Sequence, residues 1–419
     1  MDTGGFGRLE AMGFTGLKAG AWAAAGLLAV NCVGLQAQTP LADQPGGDAW
    51  MLPMDWAVLE TQESRTDLPC SVDPVKPAVG FDLRFHSGYG VSVPLKELAG
   101  EGNELTMIFR VTSDSQKERH FYFSQRIKVP SIRDDASGSA HLEGLFDLGE
   151  GHYHVDWLMR DRAERVCSSY WDLDAELAAK DKGLNLLAPA GTAAEAETEE
   201  FKPEPAVTRV HERPLRVKVL INLAPQNEHS IAFQPEEMAA LVSILRHLDR
   251  EPRIGRFSVV AFNLQEQRVL YDQPYGDEVD FPALGQAVRT LKLGTVDLRR
   301  LEAKNGETDF LANLIQQYVG KDDHPDALVF AGPKSLVYES VPRDTLKGVG
   351  EVEYPVFYLN CNLHPQDVPW RDAIGRAVKF LRGTEYTITR PRDLGAAIHE
   401  MVARMVEFRE VRKAALASH

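Results

Sequence analysis

Apolar and polar positions change rhythm roughly halfway along this chain. Between residues 70 and 176 they alternate with period two, as in residues 81–85, 105–111, 120–123, 141–145 and 153–159. Gly, Asp, Ser and Pro clusters punctuate these runs at short intervals. Such alternation turns one set of side chains into a core and the other toward water, so it predicts several short strands of an all-β, Ig-like sandwich. After Pro214 the pattern changes. Residues 215–222, 257–262, 268–271, 326–330, 354–359 and 385–389 are short apolar runs. Amphipathic stretches with helical spacing separate most of them, starting at Pro235, around 281–291, 309–319 and 371–381, and over 392–412. Alternating strands and helices predict a doubly wound α/β sheet, whose ligands sit outside the carboxyl ends of the strands.

Between the two patterns, residues 177–213 are rich in Ala, Glu and Pro. Low hydrophobicity with clustered acid predicts an extended or partly helical tether. The domain reading is therefore an N-terminal extension over 38–69, a sandwich over 70–176, a linker over 177–213, an α/β domain over 214–412 and a tail over 413–419. Within the sandwich, residues 147–153 (DLGEGHY) resemble the tyrosine corner of Greek-key sandwiches, in which a Tyr hydroxyl ties a strand start to the preceding loop. In the strand that follows, Tyr153, Val155, Trp157 and Met159 share the expected core face, and His152, His154 and Asp156 share the other. Two histidines so spaced can chelate a metal, but no third ligand is apparent, and a solvated sheet face is the expected reading.

Arg8 and Lys18 precede an uncharged stretch over 19–34 rich in Ala, Leu and Val, and Leu35-Gln36-Ala37 ends it with a cleavage pattern. This is the layout of an export signal over 1–37. Its strongly apolar part, 19–30, is shorter than the ~20 residues of a spanning helix, which leaves an uncleaved anchor as the less favoured alternative. Cys32 stands in a lipobox-like place, although Asn31 precedes it where a small residue is usual. The expected location is periplasmic or extracellular, with no membrane span once the signal is removed.

Export bears on the cysteines. Cys70, Cys167 and Cys361 remain after the signal, and three pairings are open to them. Cys70 and Cys167 flank the sandwich whereas Cys361 belongs to the other domain, so Cys70–Cys167 is the favoured bridge. No zinc pattern accompanies them. Lys and Arg total 46 against 61 Asp and Glu, a net charge of −15, which argues against coating nucleic acid or anionic lipid.

The second half resembles the von Willebrand factor type A domain family from Pro214 to Arg412. Three stretches carry the likeness: residues 305–314 (NGETDFLANL) at a helix start, 326–332 (DALVFAG) as a hydrophobic strand, and 383–387 with 392–398 as the closing strand and helix. The resemblance implies a metal-ion-dependent adhesion site built from Asp-x-Ser-x-Ser, a Thr and a second Asp, taking a partner's carboxylate on the cation. Here the first motif reads Asn222-Leu223-Ala224-Pro225-Gln226, Thr308 keeps its place, and Ala331 replaces the second Asp. Neutral amides and one hydroxyl are poor ligands for Mg²⁺, so no metal and no cofactor is expected. Lys334, Ser335, Asn360 and Asn362 fall at the same strand ends and are the candidate binding surface. Lys334 is either a fixed positive charge for an acidic partner or a solvated loop lysine.

No G-x-S-x-G, H-E-x-x-H, phosphate loop or EF-hand pattern occurs. The expected function is non-enzymatic binding of a protein partner. Two alternatives stand beside it. One is an enzyme using Cys361 or Thr308 with His364, and the other is carbohydrate binding through Tyr89 or Trp171 of the sandwich.

Overall fold

Strands dominate the first half because its alternating runs have a face to bury and glycine, proline and aspartate turns to end them. The computed structural model describes residues 39–41, 51–196, 200–209, 213–227, 230, 232–293, 305–319, 324–335, 340–366 and 370–417. The export signal expected over 1–37 lies outside the described residues. In chain order come β1 (Thr39–Leu41), α1 (Pro53–Thr61), β2 (Ser71–Val79), β3 (Phe85–Pro94), β4 (Asn103–Ser113) and β5 (His120–Val129). Next are β6 (Ser139–Leu148), β7 (Gly151–Arg160), β8 (Val166–Ala175) and β9 (Ala193–Glu195). They form two antiparallel sheets ordered β1-β5-β4-β7-β8 and β2-β3-β6-β9.

One hydrophobic core unites the inner faces of these sheets, with Tyr89, Phe146 and Leu148 from the second meeting Phe109, Phe123 and Trp157 from the first. The rings of Tyr89 and Trp157 lie 5.2 Å apart, centroid to centroid, at the centre. Cys70 and Cys167 are joined in a disulfide with a Cα–Cα distance of 6.3 Å, as favoured from the chain pattern. Tyr153 Oη donates to the carbonyls of Gly149 (2.9 Å) and Thr192 (3.0 Å), tying the start of β7 to the loop before it.

Two expectations are corrected here, and one strand is added. Residues 81–84 are a turn, and Phe81, 4% exposed, packs into the core of the α/β half. β2 escaped the reading because Pro74 and Pro77 interrupt its pattern; it is an edge strand, where a missing N–H is tolerated. Within the extension, α1 lies on the outer face of the five-stranded sheet, where Val58 and Leu59 pack with Ile108, Leu158 and Val166. It buries Asp156 completely, and that carboxylate accepts from Arg110 Nε at 2.8 Å. The face assigned to solvent is therefore partly covered.

Parts of the segment over 177–213 pack against the rest of the molecule. β9 pairs with β6, and Phe201 packs against the core of the α/β half. Glu204, 4% exposed, bridges Arg246 (3.0 Å) and Arg250 (2.6 Å). Composition foretold little apolar burial here, but two arginines on a neighbouring helix supply a specific electrostatic dock.

The second half runs β10 (Leu215–Asn222), α2 (Pro235–Arg250), β11 (Ile254–Asn263), β12 (Arg268–Gly276), α3 (Phe281–Val288) and α4 (Gly306–Tyr318). It continues through β13 (Ala327–Pro333), α5 (Arg343–Lys347), β14 (Val356–Cys361), α6 (Ala373–Phe380), β15 (Thr384–Ile388) and α7 (Pro391–Ala417). The six-stranded sheet has the order β12-β11-β10-β13-β14-β15, parallel except for β12. Helices cover both faces. Val217, Val219 and Ile221 pack with α2, α3 and α7, whereas Leu220, Phe330 and Tyr358 pack with α4 and α6. Strands buried on both sides have no polar face to show, which is why their sequences read as unbroken apolar runs. The molecule is thus mixed α/β, with several sheets. No described helix is long and apolar enough to cross a membrane.

Candidate functional site

At the carboxyl ends of the parallel strands the chain changes from aliphatic to amide side chains. Asn222 closes β10, Asn263 closes β11, and Asn360 sits one residue before the end of β14. All three are fully buried. Ala331 pairs in register with Ile221 on one side and Leu359 on the other, so an alkyl group fills the place where a carboxylate was sought. Gly332 pairs with Asn360 and lies against Asn222. A Cβ at Gly332 would come 2.8 Å from Asn222 Cβ, and its φ of +148° also disfavours any side chain.

Most of the amides are engaged with their neighbours. Asn222 Oδ1 accepts from Leu264 N–H at 3.0 Å. Gln226 donates through Nε2 to Asn362 Oδ1 at 2.7 Å, and its Oε1 accepts from His364 N–H at 3.3 Å. Gln226 N–H itself donates to Glu237 Oε1 at 2.8 Å, while the other oxygen of Glu237 accepts from Gln234 N–H at the start of α2. Asn360 Nδ2 donates to Glu385 Oε1 at 2.8 Å. Two atoms are left over: Asn222 Nδ2 and Asn360 Oδ1 are buried without a hydrogen-bond partner. Buried polar atoms without a partner also occur elsewhere among the described residues, as at Trp171 Nε1 and His247 Nε2.

The remaining expected residues fall as follows. Thr308 opens α4, buried, and its hydroxyl donates to Asn305 O at 3.0 Å within its own helix start. Ala224 is buried. Lys334 is only 8% exposed, and its backbone N–H donates to Cys361 O at 2.9 Å. Lys334 is thus mostly buried as a residue just past the end of β13. Ser335 N–H donates to Asp372 Oδ2 at 3.1 Å.

Asp372 and Tyr358 are the participants that the chain pattern did not flag. Asp372 is buried and caps α6 by accepting from Gly375 N–H at 2.8 Å, and it also accepts from Tyr358 Oη at 2.9 Å. Burial raises its pKa. The signal was present as an Asp just before a short apolar helix, an N-cap signature. Glu385 is tied to Arg371 Nε at 2.7 Å.

A divalent cation does not fit these donors. The residues at its expected positions are two amides, two alanines and a threonine, with no carboxylate among them, and their oxygens already accept or lie within a helix cap. A hard cation demands several oxygen ligands, usually including carboxylates.

Among the described residues no hydrogen bond joins Cys361 or Thr308 to His364. Cys361 is buried, and burial pushes its thiol up to about 12. A thiol held protonated is a poor nucleophile. His364 meets Gln226 through its backbone. Of the two aromatics named for carbohydrate binding, Tyr89 is 0% exposed, whereas Trp171 is only partly buried against the sandwich core.

Elsewhere, Asp82, His86 and Asp147 gather within 4.8 Å of one another. His86 bridges the carboxylates, with Nδ1 at 2.8 Å from Asp147 and Nε2 at 2.9 Å from Asp82. Burial alone would lower the pKa of this imidazole, but the two hydrogen bonds overcome that and push it up to about 10. Arg84 adds a second cation at 3.2 Å from Asp147, so this group is an ion-pair network with its charges matched. His152 and His154 do not converge, because each pairs across the strand with its own aspartate, Asp174 and Asp172, at 2.7 Å.

No protein-family model matches the chain, and no curated protein does. Among solved structures, a β-glucuronidase of Bacteroides uniformis aligns at 13% identity and a TM-score of 0.20, over 75% of this chain and 38% of that one. A glycosyl hydrolase family 2 member from Bacteroides cellulosilyticus aligns at 9% identity and a TM-score of 0.18, over 76% and 43%. The chain therefore spans less than half the length of these proteins, and similarity at this level supports no inference.

Proposed function

We propose that this is an exported, non-enzymatic interaction protein, in which an Ig-like sandwich carries a von Willebrand factor type A-like domain whose adhesion site works without metal. One observation supports this above the others. A parallel sheet with an antiparallel edge strand brings Asn222, Ala224, Gln226, Thr308 and Ala331 to the end where such a sheet binds ligands, and it presents amides there in place of carboxylates. The partner is a protein, recognised at the carboxyl ends near Lys334 and Ser335, and no cofactor is used; Asn360 and Asn362, expected on that surface, are 0% and 2% exposed and lie beneath it. Because Cys361 and Thr308 are engaged or inert, the site holds and orients a partner without transforming it.

Calorimetry of the full chain with Mg²⁺ and Mn²⁺ is the test. The expected result is no binding heat into the millimolar range. Saturable heat that Thr308→Ala abolishes would overturn the metal-free reading and make the protein a metal-dependent adhesin with substituted ligands.

A further inference from the structure

We propose that two copies of this chain pair through the last turns of α7 and the groove beside them. This surface lies at the amino end of the six-stranded sheet, opposite the carboxyl ends where a protein partner is placed above, and it does not depend on that reading. Along α7, Leu394, Ile398, Met401 and Met405 pack into the core of the α/β half. The apolar stripe ends at Met405. The next positions on the same face are Arg409, which donates to Arg213 O, and Arg412, which pairs with Glu353. On a second face Arg404, Phe408, Val411 and Ala415 recur at spacings of four, three and four, the seam by which two helices pack together. Phe408 is 39% and Val411 63% exposed, so this seam has no partner within the chain that covers it.

Phe408 and Val411 also line a groove of about 320 Å³. The buried Val356 and Phe357, at the start of β14, give it an apolar base, and the exposed Arg382 and Glu407 line it as well. Neither Arg382 nor Glu407 makes a side-chain hydrogen bond or ion pair with any described residue. Arg404 does not serve Glu407, because it is held by Glu400 at 2.6 Å and by Thr384 at 3.1 Å. One surface therefore carries an apolar ridge, an apolar groove and one unpaired charge of each sign.

Those features complement themselves, which is what a two-fold contact requires: residue i of one copy meets j of the other, and j meets i. When two α7 helices cross antiparallel, the Phe408 and Val411 ridge of each copy packs against the ridge and groove of the other. Arg382 of each copy then meets Glu407 of the other. The chain as a whole carries a net charge of −15, so copies repel one another except where opposite charges are brought together, as this exchange does. An anionic lipid surface calls for cations alone, whereas Glu400, Glu407 and Glu410 stand along the same turns.

The experiment is sedimentation velocity of the full chain over a dilution series spanning the micromolar range. A monomer–dimer equilibrium is the expected result. Val411→Glu should weaken it at least tenfold, because it buries a charge at the centre of the seam. Arg382→Glu and Glu407→Arg should each weaken self-association several-fold. Mixed together, those two charge variants should pair with each other as well as the native chain pairs with itself, since the mixture restores both contacts across the two-fold. The substituted side chains are exposed, so all three variants should keep the native melting temperature, which separates lost pairing from lost folding. A chain that stays monomeric throughout, a dimer indifferent to Val411→Glu, or charge variants that do not pair with each other would overturn the proposal. Sedimentation of a monomeric chain with phosphatidylglycerol vesicles, lost in Arg382→Glu, would also overturn it and assign the groove to a lipid surface.

Discussion

The Cys70–Cys167 bridge should account for much of the stability of the sandwich half. Its two cysteines are 97 positions apart, and between them lie β2 through β7 and the start of β8. Closing a loop of that length removes denatured-state entropy amounting to about 4.7 kcal/mol at 25 °C on the chain-entropy model. The native geometry does not depend on the bond alone, because Thr66 bridges Cys167 and Arg65 O accepts from Ser168 N–H at 2.9 Å. The reduced protein should therefore fold the same way and be less stable by about 3–5 kcal/mol. Urea unfolding of the full chain, with and without reductant, measures this through the near-ultraviolet signal of the aromatic cluster around Trp157. Cys70→Ala/Cys167→Ala should reproduce the reduced form. Cys361 adds no complication, since it is buried and its thiol is held protonated. A loss below about 1 kcal/mol in both arms would refute the reasoning, because it would mean that the bond does not restrict the unfolded chain.

Other outcomes follow from the same contacts. Phe81→Ala, which empties a ring 4% exposed from the α/β core, should cost about 3–5 kcal/mol in urea unfolding, although Phe81 is contributed by a turn of the sandwich. Glu204→Ala leaves Arg246 and Arg250 facing each other without their carboxylate, so it should cost about 3 kcal/mol and expose the 200–209 segment to limited proteolysis. The folded pKa of His86, about 10, lies above its ordinary 6.5, so its ion pairs contribute fully below about pH 6.5 and are lost as pH rises through 10. The difference in urea midpoint between the native chain and His86→Gln should accordingly be largest near pH 6 and shrink toward pH 10. The proposed export signal predicts that N-terminal sequencing of the protein from its native cells begins at Gln38, and an intact Met1 would count against cleavage.

Much of the architecture can be read from the chain because burial demands set the spacing of apolar residues directly. Residues 153–159 alternate because one face of β7 meets Tyr89 and Phe109. Residues 215–222 do not alternate, because helices lie on both faces of β10. The hydrogen bond of Tyr153 to Gly149, four residues back, follows from local order along the chain, whereas the pairing of Cys70 with Cys167 follows from their places at the two ends of the alternating pattern. β2 was missed because its prolines obscure the pattern, and only its place at a sheet edge makes them acceptable.

The candidate site was legible as a set of positions and illegible as an environment. Asn222, Thr308, Ala331 and Lys334 could each be named from the chain, because strand ends and helix starts are local features. Which of them would be left without a partner could not be read there. That depends on Leu264, Glu385 and Asp372, which lie 42, 25 and 37 residues away from the groups they engage. The same holds for Glu204 and Phe81, whose partners belong to the other half of the molecule. Chain periodicity records how much surface each residue buries. Tertiary structure alone decides which donor meets which acceptor, because hydrogen bonds and ion pairs act over a few ångströms between atoms that folding brings together.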